Sequence, residues 1–256
     1  MSGTTDPVPA ALEVRGLVKS FAALAVTRNV DLSLPPGARL GLIGPNGAGK
    51  TTLINLLTGR LAPDAGVIIL DGERIEQLRP EARVKRGLVR THQLNTLLVE
   101  ETAVDNVAMA IAERESLGWR MMRYGARWRA CRDEADALLA DVGLADVSDR
   151  RVCELAYGRQ RLLEIAIALA LRPRILLLDE PAAGVPSAEA HAIRDMIDRL
   201  PKTVAVLMIE HDMELVFRFA QEIVVLVRGE ILTQGPPAVI AGDPRVHAVY
   251  LGRSSA

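Results

Sequence analysis

The run Gly44-Pro45-Asn46-Gly47-Ala48-Gly49-Lys50-Thr51 constrains this chain more than any other stretch. It has the pattern G-x-x-x-x-G-K-[ST] of a phosphate-cradling loop. Arg39-Leu40-Gly41-Leu42-Ile43 precede it as an apolar strand, and Thr52-Leu53-Ile54-Asn55-Leu56-Leu57 follow as a helix. That strand–loop–helix setting is the one the motif needs. The glycines let backbone N–H groups curl towards an anion, and the helix N-terminus adds a partial positive charge. In such a loop Lys50 reaches the β- and γ-phosphates of a nucleoside triphosphate, and the Thr51 hydroxyl sits on Mg²⁺. The motif predicts an α/β chain that binds a nucleotide, and leaves open which machine uses it.

At 256 residues and 49% hydrophobic content, the chain can form one α/β domain with an inserted subdomain around a large core. Aromatics make up only 3%, so that core is aliphatic. A net charge of −1 argues against nucleic-acid binding by bulk electrostatics. Cys131 and Cys153 lack metal-ligand spacing and fit a reducing cytosol. Residues 1–10 have neither a basic nor an apolar segment of the signal-peptide kind, and are expected to form a disordered tail. The most apolar run, residues 162–171, is too short to span a bilayer and contains Glu164.

Leu12-Glu13-Val14-Arg15 and Val30-Asp31-Leu32-Ser33-Leu34 alternate apolar and polar residues, as antiparallel strands with one wet face do. Between them Phe21 can offer a flat face to a purine ring, or serve as a core strand residue. Residues 67–70 form a strand with a hairpin signal at Asp71-Gly72, residues 80–86 a short helix, and residues 87–91 a buried strand. Gln93 follows that strand directly, where its amide can face Mg²⁺ or an attacking water. From about residue 102 to 148 strand signals vanish and apolar residues recur at helical spacing, as in an inserted helical subdomain. Within it, residues 119–132 hold both tryptophans and five arginines: a basic, aromatic surface near lipid headgroups or a membrane partner, or more simply a solvated helix face.

Leu155-Ala156-Tyr157-Gly158-Arg159 opens the apolar helix 162–171, and a small-residue loop feeding a helix N-terminus is a second potential anion site. Ile175-Leu176-Leu177-Leu178 is a fully buried strand ending in Asp179-Glu180. Open α/β sheets bind ligands at the carboxyl ends of their strands. There Asp179 would hold the Mg²⁺ shell and Glu180 would polarise a water for attack on the γ-phosphate. Residues 188–200 form an amphipathic helix with Ser187 as a cap, and residues 203–209 a parallel strand ending in Glu210-His211-Asp212. His211 at that edge can bond a γ-phosphate oxygen. A final hairpin covers residues 223–233, a short helix follows at 237–241, and residues 246–251 are expected to be the last ordered stretch.

In this order the motifs resemble an ABC-type ATPase cassette over nearly the whole chain, from about residue 12 to 251. The resemblance implies a P-loop NTPase core with a mostly parallel sheet, an N-terminal antiparallel β subdomain, an inserted helical subdomain near 94–160 and a C-terminal extension at 235–256. It implies ATP hydrolysis with Mg²⁺, and two cassettes facing head to tail around two ATP. Phe21 is then the adenine-stacking aromatic, and Gly44 to Thr51 with Thr52 the ATP cradle. Gln93 is the lid glutamine, and Thr51, Gln93 and Asp179 make up the metal shell. Leu155, Ala156, Tyr157, Gly158 and Arg159 are the signature that contacts the partner's ATP. Glu180 is the catalytic carboxylate and His211 the switch histidine. Val89-Arg90-Thr91-His92-Gln93, Ala156-Tyr157-Gly158, Glu180-Pro181-Ala182-Ala183-Gly184, Ile209-Glu210-His211-Asp212-Met213 and Tyr250-Leu251-Gly252 are similar to cytosolic subunits of importers for branched-chain and other hydrophobic amino acids. Cassettes for urea, amide or aromatic-acid uptake and for lipopolysaccharide export are also similar. The partners implied are a second cassette (a copy or a paralogue), two membrane permeases and, indirectly, an external solute-binding protein. The implied place is peripheral, on the cytoplasmic face of the inner membrane. A soluble cassette ATPase acting on nucleic acid or ribosomes is the rival class; the second cassette, coiled coils or basic extensions usual there are not apparent.

Two departures stand out. The general signature is Leu-Ser-Gly-Gly-Gln, and Ala156 removes its hydroxyl, worth about 0.5–1.5 kcal/mol as one neutral hydrogen bond. Pro186 sits where an Asp is usual in the loop after Glu180, which puts coupling between the two sites in question.

Overall fold

The computed structural model describes residues 10–91, 97–117 and 125–251, and the chain divides into two compact units, residues 1–83 with 201–256 and residues 84–200.

In the first unit, β1 (Leu12–Phe21) and β2 (Leu24–Leu34) are long antiparallel strands with Leu12 opposite Leu34. Both extend well beyond the two short runs of alternation visible in the sequence, so Phe21 lies at a strand end rather than between strands. β4 (Ala65–Leu70) and β5 (Glu73–Arg74) complete a four-stranded antiparallel sheet in the order β2-β1-β4-β5. Leu12, Val14, Leu17, Ile68 and Leu70 point to its dry side and are almost fully buried.

β3 (Arg39–Ile43) is buried from Leu40 onwards and pairs in parallel with both β8 (Ala205–Ile209) and β9 (Glu222–Val227). A strand flanked on both sides and covered on both faces reads as an unbroken aliphatic run, which explains its sequence. β10 (Glu230–Gly235) adds to β9 as an antiparallel hairpin. The helices are α1 (Lys50–Leu57), the seven-residue α7 (Met213–Phe219), α8 (Pro237–Ala241) and α9 (Pro244–Leu251). α7 has no counterpart among the sequence expectations. Asp212 starts it by accepting the Leu215 N–H at 3.2 Å.

Helix α2 (Pro80–Lys85) runs across the chain boundary between the units. Its Arg83, 1% exposed, donates to the Leu56 and Leu57 carbonyls at 2.7 and 2.6 Å. It thereby adds a donor to carbonyls of the last turn of α1, where intrahelical partners run out.

The second unit holds a parallel pair, β6 (Leu88–Arg90) and β7 (Ile175–Asp179), with Arg90 in register with Leu177. Around it are α3 (Ala103–Arg114), α4 (Ala126–Asp141), α5 (Tyr157–Ala170) and α6 (Ser187–Asp198). Thr102 caps α3, and Val104, Val107, Ala108 and Ile111 are buried on one side of it. Pro186, not Ser187, holds the N-cap position of α6; Ser187 is already helical. Proline's fixed φ suits that entry.

The basic stretch of residues 119–132 lies only partly among the described residues. Arg132, on α4, is paired with Asp105 at 2.7 Å and Asp149 at 3.1 Å.

Candidate functional site: the phosphate loop and the signature helix

In the first unit the chain leaves β3 at Gly44 and enters α1 at Lys50, and the loop between closes on itself. Ala48 N–H donates to the Pro45 carbonyl at 3.1 Å, and Leu53 N–H to the Gly49 carbonyl at 2.9 Å. Gly49 caps the helix at φ +103°, and a Cβ there would lie 2.7 Å from the Val26 carbonyl oxygen. Only glycine satisfies both demands. Lys50 is 7% exposed, and its ammonium donates to the Gly44 carbonyl at 2.6 Å and the Pro45 carbonyl at 3.2 Å. A buried ammonium pinned across a loop of N–H groups at a helix start is built to receive an anion. Thr51 and Thr52 occupy the first turn of α1, Thr51 exposed and Thr52 partly so.

Leu42 of β3 is in register with Ile209 of β8. Gly44 and His211 therefore leave the same edge of the sheet two residues beyond one rung. His211 is exposed, and its N–H donates to the Glu210 carboxylate at 3.0 Å. Phe21 is 45% exposed rather than in the core, with the Lys19 ammonium 5.8 Å from its ring centroid. Lys19 is held by Asp64 at 2.7 Å, and that bond lowers the Asp64 pKa.

In the second unit, Asp179 ends β7 9% exposed and is paired with Arg90, 10% exposed, through Oδ2 and Nη2. Its N–H donates to the Thr91 hydroxyl at 3.4 Å, while the Thr91 N–H donates to the Leu177 carbonyl at 3.0 Å. Glu180 follows with φ +49°, a left-handed conformation unusual for a residue with a side chain. It is partly buried and opens a turn in which Ala183 N–H donates to the Glu180 carbonyl at 3.0 Å.

Leu155 is buried, Ala156 is exposed at the N-cap of α5, and Tyr157 begins the helix. The Gly158 N–H donates to Glu189 Oε2 at 2.9 Å, and a Cβ on Gly158 would lie 2.3 Å from that oxygen. Arg159 is paired with Asp146 at 2.7 Å. Gln93 lies outside the described residues. Sequence reasoning did not find the Arg90–Asp179 pair or the Gly158–Glu189 bond. The signal available was weak: an Arg three residues before Gln93, and a Glu in the first turn of α6.

A parallel-strand core with a lysine-bearing phosphate loop, an Asp-Glu pair ending a buried strand, and a separate glycine-bearing helix start define the class of nucleotide-hydrolysing cassettes. Residues 27–183 match the family model described as ABC transporter, and the chain belongs to that family: it is an ATPase cassette. It is 39% identical to the high-affinity branched-chain amino acid transport ATP-binding protein BraF of Pseudomonas aeruginosa, over 95% of this chain and 98% of that one. It is 38% identical to LivG of Escherichia coli K12, of the same description, with the same coverage. The lipopolysaccharide export system ATP-binding protein LptB of Acidithiobacillus ferridurans is 34% identical over 94% of this chain and 96% of that one. Among solved structures, the ADP conformation of the ABC transporter cassette MJ1267 superposes with a TM-score of 0.84 at 30% identity, covering 96% of this chain and all of that one. No helix among the described residues is long and apolar enough to cross a membrane.

Proposed function

We propose that this chain is the ATP-hydrolysing subunit of an importer for branched-chain or other hydrophobic amino acids. The observation that carries the ATPase half is the phosphate loop, with Lys50 buried and pinned to the Gly44 and Pro45 carbonyls. Similarity to BraF and LivG over nearly the full length of both supports the solute class. The chain works as one of two cassettes at the cytoplasmic face of the membrane, beneath two permease subunits that an external binding protein supplies. Residues 94–160 act as an inserted helical subdomain and residues 235–256 as a C-terminal extension.

In this reading Phe21 stacks on the adenine and Gly44 to Thr52 cradle the phosphates, with Lys50 turning from the loop carbonyls to the β- and γ-oxygens. The metal donors are hydroxyl and carboxylate oxygens, Thr51 and Asp179, joined by the amide of Gln93. That all-oxygen set fits Mg²⁺ rather than a softer metal. When bound, Mg²⁺ would neutralise developing phosphate charge. Arg90 engages one Asp179 oxygen and so sets the direction of the other. Glu180 takes the proton of the attacking water, and His211 bonds the γ-phosphate. The start of α5 receives the partner's γ-phosphate through backbone N–H groups, Ala156 having no hydroxyl to add. The Glu189 carboxylate now on Gly158 N–H gives way to it. ATP bound between two chains favours the closed pair, and hydrolysis releases it, because ATP and ADP bind the closed and open pairs differently.

The test uses Glu180→Gln. With ATP and Mg²⁺ the variant is expected to bind nucleotide, cease turnover and sediment as a dimer, and to return to monomer with ADP. A variant that stays monomeric at every protein concentration, or that keeps the parent's hydrolysis rate, would overturn the reading.

A further inference from the structure

We propose that Tyr157 is a positioning residue for Glu180, holding the turn that carries this carboxylate against the first turn of α5. The proposal rests on the reading of Glu180 as the hydrolytic base. It gives Tyr157 a role within its own chain, beyond contact with the partner's nucleotide.

Glu180 stands at φ +49°, and such a conformation persists only where the surroundings enforce it. Two turn bonds help enforce it: Ala183 N–H to the Glu180 carbonyl at 3.0 Å and Val185 N–H to the Ala182 carbonyl at 3.2 Å. The far side of that turn is tied to the signature, because the Tyr157 hydroxyl donates to the Ala183 carbonyl at 3.3 Å. The phenol is itself fixed. Its oxygen accepts from Arg161 Nη2 at 2.8 Å, and the Arg161 guanidinium stands 5.1 Å from the ring centroid. Arg161 in turn is paired with Glu164 at 2.9 Å, their side chains 6% and 4% exposed. The single hydroxyl proton is thus directed at Ala183, since Arg161 can only donate.

A second tie, Gly158 N–H to Glu189, joins the same helix turn to α6 beyond the loop. Tyr157 occupies a position where the general signature carries glycine, which has no hydroxyl to offer. The chain that carries Pro186 in place of the usual Asp thus has a connection between signature and carboxylate through this hydroxyl. A nucleotide that shifts the start of α5 moves the Ala183 carbonyl, and with it the Glu180 backbone.

Tyr157→Phe keeps the ring on Arg161 and deletes only the hydroxyl. Differently tagged chains, co-purified as mixed pairs, separate an effect within the chain from one across the pair. Combining Tyr157→Phe with a Glu180→Gln chain leaves the one intact Glu180 on the chain without the hydroxyl. Its single-turnover hydrolysis is expected to fall about fivefold relative to wild type with Glu180→Gln, the size of one lost neutral hydrogen bond. Wild type combined with a chain carrying both substitutions is expected to keep the reference rate. The opposite pattern, equal losses, or no loss overturns the proposal. If the reference pair is silent while the wild-type pair hydrolyses, the pure Tyr157→Phe pair decides. A kcat lowered about fivefold with unchanged ATP affinity and melting temperature supports the positioning role, and an unchanged kcat overturns it. A wild-type pair that hydrolyses nothing removes the role of Glu180 itself, and this proposal falls with it.

Discussion

Lys50 shows most directly how one residue carries the site. The residue is 7% exposed and its ammonium donates to two loop carbonyls, so the charge is held within the loop before any phosphate arrives. Lys50→Ala removes that charge from the cradle. Titration calorimetry is expected to find no ATP binding, and an affinity within about tenfold of the parent's would contradict the loop's role. Ala156→Ser restores a hydroxyl at the N-cap of α5. In a Glu180→Gln background it is expected to tighten the ATP-driven pair by up to about 1.5 kcal/mol, read as a lower dimer dissociation constant in sedimentation. These residues were legible in the sequence because their motifs are local. The Arg90–Asp179 pair joins residues 89 positions apart, and the Gly158–Glu189 bond joins residues 31 apart. No spacing rule reaches that far.

At the scale of elements, the ends of helices decide more than their middles. Arg83 is nearly inaccessible and donates to Leu56, Leu57, Leu78 and Glu76 carbonyls, closing the end of α1 behind the phosphate loop. Burial lowers its pKa, the carbonyls compensate the charge, and Gly59 leaves room for the guanidinium. Arg83→Met removes that donor, leaving the Leu56 carbonyl only its bond from the Gly59 N–H, and is expected to cost about 3 kcal/mol, measured as a lower urea midpoint. Between α3 and α4, the Arg114 guanidinium holds the Glu134 carboxyl below its ordinary range, by hydrogen bonding first. Because the folded-state pKa is depressed, this pair stabilises the fold above the unfolded pKa of about 4.3. That contribution is lost as pH falls through the lower folded value. Glu134→Gln is therefore expected to cost about 0.5 kcal/mol at pH 7, the exposed side chain being screened, and to match the parent below that window. Strands and long helices were readable from periodicity. α7 was not, because seven residues after a polar turn carry too few apolar repeats. The start of α6 was misplaced by one residue because a proline, not the adjacent serine, takes the cap.

At the scale of the molecule, the chain belongs to the ABC transporter family, and two compact units carry different halves of the proposed chemistry. The phosphate loop, Phe21 and His211 belong to the unit built from both ends of the chain. Asp179, Glu180 and the signature belong to the intervening one. If the chain drives an importer, it is expected to co-purify with its membrane subunits after mild detergent extraction. Hydrolysis by the reconstituted complex should then rise when the loaded binding protein is added. Recovery of the chain without membrane subunits, together with stimulation by DNA or RNA, would assign it to another class. Nucleotide chemistry and the strand–loop–helix setting were legible along the chain because each motif spans only a few positions, and the family because those local motifs follow one another in a set order. Tertiary structure alone decided that Arg90 faces Asp179, that Glu180 sits in a left-handed turn and that Tyr157 reaches Ala183. Those facts arise when strands and helices far apart in the chain pack together, and backbone groups then take whatever partner the packing brings within reach.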